Sequence, residues 1–466
     1  MLAAAAVLFL AACGGDSDAA PAAGNVAAAR GEPTETLLRV PSDGGTPTLH
    51  RVADLSEVEW TDAPRLPSIS AVIGAVGDDR IVYLLDQKQG LLGLDVESGR
   101  SREIAGGITM AAAAPEGGVV AVDTAGNALR IRRRTPQPLR GALDGDAHAL
   151  YPTQRGGLIA PLAGGGIVSL GADHPPARTA LPEGPAAATT WGELVAVATD
   201  SGLVFYDPTA DDSVTFVATE RPVHAVAFSP SGHRIFAATP DAELLVLDRF
   251  GSAVLERIAL PGPAGALRVD RYGRWLLARP VTGDSLWAVD LVADSLVGSA
   301  RGTWREDLPA IAGDRLLVRQ GSDVVLLDLR AAGLPRRAAI EGGGADQWAL
   351  VQWTPGSAEP PVARTDETGD EAVDDPDADE PAGEGAVYLQ VSSSRNPDWA
   401  SDLVRQMKSA GLPASLLDPT AEGEPYRVVL GPYASRDEAD DAGRRLGRAY
   451  FIIGGRDSTS ADHVEP

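Results

Sequence analysis

Val226-Ala227-Phe228-Ser229-Pro230-Ser231-Gly232-His233-Arg234 leads into Ile235-Phe236-Ala237-Ala238 and, after a polar turn, into Leu244-Leu245-Val246-Leu247-Asp248. Short apolar runs broken by a Pro-x-Gly turn and closed by an Asp read as strand, turn and strand, and no 3.6-residue period persists through them. The unit recurs along the chain. Its second strand is clearest at Leu91-Leu92-Gly93-Leu94-Asp95, Leu203-Val204-Phe205-Tyr206-Asp207, Leu286-Trp287-Ala288-Val289-Asp290 and Val324-Val325-Leu326-Leu327-Asp328. Weaker copies stand at Ala128-Leu129-Arg130-Ile131-Arg132 and Ile167-Val168-Ser169-Leu170-Gly171. The closing positions are 95, 132, 171, 207, 248, 290 and 328, a spacing of about 40 residues.

A period of that length repeated seven times fits four-stranded blades set around an axis, which leave only short sheet edges. The fold expected is therefore an all-β propeller over residues 48–355, with seven blades and with six or eight as the alternatives. A ring must also close, or two sheet edges stay open. His50-Arg51-Val52-Ala53 resembles the outer-strand segments Arg257-Ile258-Ala259-Leu260 and Arg337-Ala338-Ala339-Ile340, and is expected to complete the last blade. The Asp at the end of each unit is read as a turn cap accepting backbone amides, not as a catalytic group. The 226–248 unit resembles WD-type and YVTN-type blades.

The composition agrees. Fifty-two Gly and 35 Pro favour turns over long helices, and a formal net charge of −25 disfavours nucleic acid as a partner. Residues 356–385 hold eleven carboxylates against the single base Arg364, so much of the charge belongs to what reads as an acidic, disordered linker.

The one cysteine, Cys13, follows Leu10-Ala11-Ala12 at the end of the apolar run Leu2–Leu10. This placement resembles a bacterial lipoprotein signal, although no Lys or Arg precedes the run. It implies a signal peptide at 1–12, lipidation of Cys13 and a flexible tether over 13–47. Gly14 follows the cysteine, where an Asp would be associated with inner-membrane retention. The expected location is thus periplasm-facing and lipid-anchored to the outer membrane, with the inner membrane as the alternative.

Beyond the linker the pattern changes to strand, helix, strand, strand, helix, strand. Val387-Tyr388-Leu389-Gln390-Val391 alternates as a half-buried strand. Asn396 and Pro397 begin a helix on which Trp399, Leu403 and Met407, with Leu412 beyond, are spaced to face a sheet, and Gly411 ends it. Tyr426-Arg427-Val428-Val429-Leu430-Gly431-Pro432-Tyr433 is a further strand and its exit. Ser435 and Glu438 form a capping box, and Phe451-Ile452-Ile453 closes the sheet.

Gln390-Val391-Ser392-Ser393-Ser394 and Tyr426-Arg427-Val428…Gly431-Pro432-Tyr433 carry a resemblance to the SPOR (sporulation-related) domain over residues 386–456. The domain is taken as 386–457, with a tail at 458–466. The resemblance implies an α+β ferredoxin-like fold and binding of septal peptidoglycan, preferring glycan strands stripped of stem peptides, on an exposed sheet face. Alternation puts Leu389 and Val391 under the helices, and Tyr388, Gln390 and Ser392 on the open face. In the third strand Tyr426, Val428 and Leu430 point inward, while Arg427 and Val429 share the face of Gln390. Gln390, Ser392, Ser393, Arg427 and Tyr433 are the expected peptidoglycan-binding residues. Val429 stands where the family often has a polar or basic residue.

No other motif supports chemistry. The six His residues form no metal-binding pattern, and Asp375, Asp377 and Asp379 lack the Gly and distal Glu of a calcium loop. The Ser231-Gly232-His233 turn lacks the setting of a nucleophile. Trp287, Trp304, Trp348 and Trp353 read as blade core. No catalytic residue, metal or cofactor is expected.

The leading expectation is a non-enzymatic, lipid-anchored envelope protein with a protein-binding propeller, acting in cell division or wall remodelling and enriched at the septum. In a second reading the propeller is a lactonase-like or hydrolase-like enzyme, with Arg221, His224, Arg268 and Arg279 converging on its channel. In a third, the propeller binds a periplasmic ligand or an outer-membrane partner and the SPOR-like domain has lost its affinity.

Overall fold

The computed structural model describes residues 34–354 and 387–453, apart from 75–80, 115–116, 133, 155, 172–174, 191, 193, 209–213, 250–253, 395–396, 410–411, 420–425, 437, 440–441 and 444–449. Cys13 with its signal, the linker at 356–385 and the tail at 458–466 lie outside the described residues. Among the described residues no helix is long and apolar enough to cross a membrane.

The large unit consists of eight four-stranded antiparallel sheets. Seven are consecutive meanders, at 69–105, 108–142, 151–179, 186–218, 225–259, 264–301 and 310–340. We number them blades 1 to 7. Each Asp-ended segment of the sequence is the third strand of its blade, as in Glu243–Asp248 between Arg234–Ala238 and Val254–Ala259.

The eighth blade corrects the expected count of seven. Its inner strand is Gln347–Trp353, and its other three are Thr34–Val40, Thr48–Arg51 and Glu57–Val58. Thr34–Val40 pairs along its whole length with Gln347–Trp353, from Thr34 opposite Trp353 to Val40 opposite Gln347. The ring is thus closed by the first and last strands of the propeller, and the propeller begins at residue 34, not 48. Residues 34–47, read as tether, belong to it. Thr48–Arg51 contains the expected closing segment in part, but it pairs inside blade 8 and adds nothing to blade 7. Its sequence, Thr-Leu-His-Arg, lacks the apolar run of the other third strands, so the repeat count stopped at seven.

Eight apolar clusters, one between each pair of neighbouring blades, confirm the closure. Strand residues alternate between two faces, and here both faces are buried. In blade 5, Phe236, Ala238, Leu244 and Val246 pack against blade 6, while Ile235, Ala237, Leu245 and Leu247 pack against blade 4. Burial on both faces is why these strands read as unbroken apolar runs. The ring ends meet where Leu38, Val40, Leu49 and Val351 of blade 8 pack on Ile69, Val82, Leu84 and Leu94 of blade 1.

The Asp residues cap turns as expected. Asp95 Oδ1 accepts from the amides of Glu97 and Ser98 at 3.1 and 3.0 Å, and Asp290 Oδ1 from those of Val292 and Ala293 at 2.9 and 3.2 Å. The four tryptophans read as core are buried or packed against it: Trp287 and Trp348 in full, Trp304 and Trp353 in part.

The C-terminal unit is one sheet in the order Ala414–Leu417, Tyr426–Tyr433, Val387–Ser394, Phe451–Ile453, the ferredoxin-like arrangement. The helix Pro397–Ser409 lays Leu403 and Met407 on Leu389, Val391, Val428 and Leu430. That core contains no propeller residue. It therefore meets the basic requirement of a separately folding unit.

Candidate functional site

The sheet of the C-terminal unit is braced from one side. Leu412 packs partly on the core, and Ser435 caps the second helical segment, its Oγ accepting the Glu438 amide at 3.1 Å. The Glu438 carboxylate in turn accepts the Ala434 amide at 2.8 Å, one residue earlier than the usual reciprocal bond. Asn396 and Gly411, and the side chain of Trp399, lie outside what is described.

A bulge in the first strand then decides which residues face away from the helices. Gln390 pairs with Val429, but the next pairs are Ser392 with Val428 and Ser393 with Arg427, leaving Val391 as the extra residue. Cross-strand partners share a face. Ser392 therefore lies with Val428 on the helix side, 1% exposed, and not on the open face where simple alternation put it. Tyr433 also packs partly on the core. The face opposite the helices carries Gln390, Ser393, Arg427 and Val429, so three of the five expected residues come together. Tyr426, Val428 and Leu430 point inward, as the alternation requires.

This face is not open to solvent. Gln390 is 3% exposed, and Ser393 and Val429 are fully buried. The cover comes from the ends of propeller blades 5 and 6. The amide nitrogen of Gln390 lies 3.0 Å from Nδ1 and 3.1 Å from Nε2 of His233, in the turn between the first two strands of blade 5. Arg249, in the next turn on the same end of that blade, donates from Nη1 to the Ser393 carbonyl at 3.3 Å. Tyr272, in the equivalent turn of blade 6, meets Tyr450 edge to face with ring centres 6.2 Å apart. The Ser393 hydroxyl is buried without a hydrogen bond.

Burial pushes the His233 imidazole down to about 4; the positive charges of Arg249, Arg427 and Arg234 act in the same direction, and Asp248 opposes them. Sequence reading left His233 in an ordinary turn and gave Arg249 and Tyr272 no role. No local signal marks them, because their partners lie more than 140 residues away across the linker.

The propeller residues named as possible channel groups divide. Arg268 and Arg279 both stack over Trp304, with guanidinium carbons 5.0 and 5.6 Å from the ring centre. Arg268 also donates to the carbonyls of Pro309 and Arg305 at 2.7 and 3.3 Å. Arg221 instead makes an exposed ion pair with Asp241 at 2.9 Å, and His224 Nδ1 is buried without a hydrogen bond. The inner strands of blades 3 to 6 border an open hollow of about 390 Å³ lined by Tyr151, Arg268 and Asp270 among others. Burial, with help from the charge of Glu306, raises the Tyr151 phenol well above its ordinary range. Among the described residues no three His, Cys, Asp or Glu side chains gather as a metal site.

Comparison with known proteins agrees with this division of the chain. The SPOR domain family matches residues 383–451. No curated protein sequence matches the chain. Among solved structures, apo AztD from Citrobacter koseri superposes with a TM-score of 0.51 at 10% identity, over 69% of this chain and 98% of that one. The Cps50 (Swd1) β-propeller domain of Myceliophteria thermophila matches with a TM-score of 0.39 at 16% identity, over 51% of this chain and 87% of that one. Residues 383–451 thus form a SPOR domain, carried behind an eight-bladed β-propeller.

Proposed function

We propose that the chain is a non-enzymatic cell-envelope protein whose SPOR domain binds peptidoglycan, reading glycan strands stripped of stem peptides at the division septum. The observation that carries this reading is the SPOR match over a sheet face that gathers Gln390, Ser393 and Arg427. Bare glycan presents hydroxyl and acetamido groups, which suit hydrogen-bonding side chains on a shallow sheet better than a deep apolar pocket. Cys13 provides the lipid anchor, on the outer membrane, and the propeller serves as a scaffold for a protein partner in division or wall remodelling.

The isolated segment 386–466 carries a core of its own and is suited to the test. It is sedimented with intact sacculi and with sacculi whose stem peptides an amidase has removed. Binding rises on the stripped strands and falls about tenfold or more in Gln390→Ala and Arg427→Ala, as loss of one or two hydrogen bonds to a charged or amide group implies. Absence of binding to both sacculi overturns the reading.

A further inference from the structure

We infer that the propeller is an intramolecular inhibitor of the SPOR domain: the turns of blades 5 and 6 cover the sheet face that would read glycan, so docking and glycan binding exclude each other. The inference rests on the peptidoglycan reading above for the identity of the competitor, but the docking itself rests on geometry alone.

Three observations carry it. A ferredoxin-like sheet with helices on one side leaves its other side to solvent, yet Val429, in the middle of that side, is fully buried. The groups over it are polar and matched. Gln390 is satisfied by the His233 ring, and the Ser393 carbonyl by Arg249. The propeller therefore takes up hydrogen-bonding capacity on the face that a sugar would use. The contacts also come from three turns on one end of the ring, and the linker joins that ring to the SPOR domain directly. Because ring and domain share one chain, the domain meets these turns at an effective concentration on the order of millimolar. An interface too weak to hold separate molecules is enough to close under those conditions.

The experiment uses the full chain with Cys13→Ser and Val429→Cys, so that one thiol reports on the covered face. Maleimide labelling is compared between this protein and the same chain carrying His233→Ala with Arg249→Glu. These two side chains belong to the propeller, so neither change alters a residue assigned to glycan binding. Their backbone bond, from the Arg249 amide to the His233 carbonyl, survives both changes. Labelling is expected to be slow with the native propeller and to approach the rate of the isolated 386–466 segment in the double variant. Sacculus binding by the double variant, in the Val429 background, is expected to rise on the order of tenfold, because a competent state held at a small fraction weakens apparent affinity by that fraction.

Fast labelling with the native propeller overturns the docking. Faster labelling in the variant without a gain in sacculus binding, when the isolated segment does bind, overturns the inhibition. If neither the segment nor any full chain binds sacculi, the peptidoglycan reading fails and inhibition falls with it, while labelling still decides whether the face is docked.

Discussion

His233 shows how one side chain makes the docking sensitive to pH. In the docked state the ring nitrogen that receives the Gln390 amide must be unprotonated, and Arg234 and Arg249 from the propeller and Arg427 from the SPOR sheet surround it, with Asp248 the opposing charge. An imidazolium would require the Gln390 amide to turn over, and would add charge beside three guanidinium groups. The docked pKa of about 4 lies below the ordinary 6.5, so the docked state binds fewer protons between those values. Docking is accordingly at full strength above about pH 6.5 and weakens as the pH falls toward 4. Only the burial under the SPOR sheet and the charge of Arg427 are lost on undocking, so the pH dependence of docking draws on that part of the shift. The full chain should bind sacculi more strongly at pH 5 than at pH 7.5, measured relative to the isolated 386–466 segment at each pH. His233→Ala should abolish that difference, and persistence of the pH effect in His233→Ala would assign it to another group.

At the scale of the element, the decisive feature is the blade shared between the two ends of the propeller. Its polar seam sits against blade 7. Arg319, 2% exposed, donates to Asp307 Oδ2 at 2.5 Å and to the carbonyls of Asp346 and Gly344, each at 2.7 Å. Asp307 Oδ2 also accepts the Trp348 amide at 2.9 Å, while the Asp346 carboxylate holds Arg39 at 2.6 Å. Removing one member of such a buried network leaves the other charge uncompensated, which costs about 3–5 kcal/mol. Arg319→Ala should lower the chemical-denaturation stability of the propeller by that amount. Leu38→Ala, on the blade 1 side of the same closure, should cost about 2–5 kcal/mol through lost burial and a cavity. A loss below about 1 kcal/mol in both variants would mean that the ring holds without its closing blade.

These same elements mark how far the sequence was readable. Seven blades were legible because each third strand carries a short apolar run at a spacing of about 40 residues, and five of them end in Asp. The eighth was not, because its third strand is polar and its second, Thr34–Val40, pairs with an inner strand about 300 residues away. In the SPOR domain, Gln390 and Arg427 were legible by alternation. Ser392 was misplaced because the bulge at Val391 is a property of the strand pair, invisible in either strand alone. The cover over Gln390 belongs to tertiary structure and has no sequence signature.

At the scale of the whole molecule, the arrangement is two folded units whose docking depends on being joined. Their described contacts include one amide to an imidazole, one guanidinium to a carbonyl, and one pair of tyrosine rings. Interfaces between domains of one chain generally resemble transient ones, with weak affinity between free partners. The tether compensates by making docking intramolecular. Cutting the connection should therefore undo what mutation of the interface undoes, without altering a single interfacial atom. A protease site placed among residues 366–371 and cleaved at low micromolar protein provides the test. On size-exclusion chromatography the SPOR fragment should separate from the propeller, and its sacculus binding should match that of the isolated 386–466 segment. The uncut chain should run as one compact species that binds less. If the fragments stay together after cleavage, the interface is strong without the tether. Glycan would then have to displace a tight partner, and the two units would act as one fixed assembly in place of a switch.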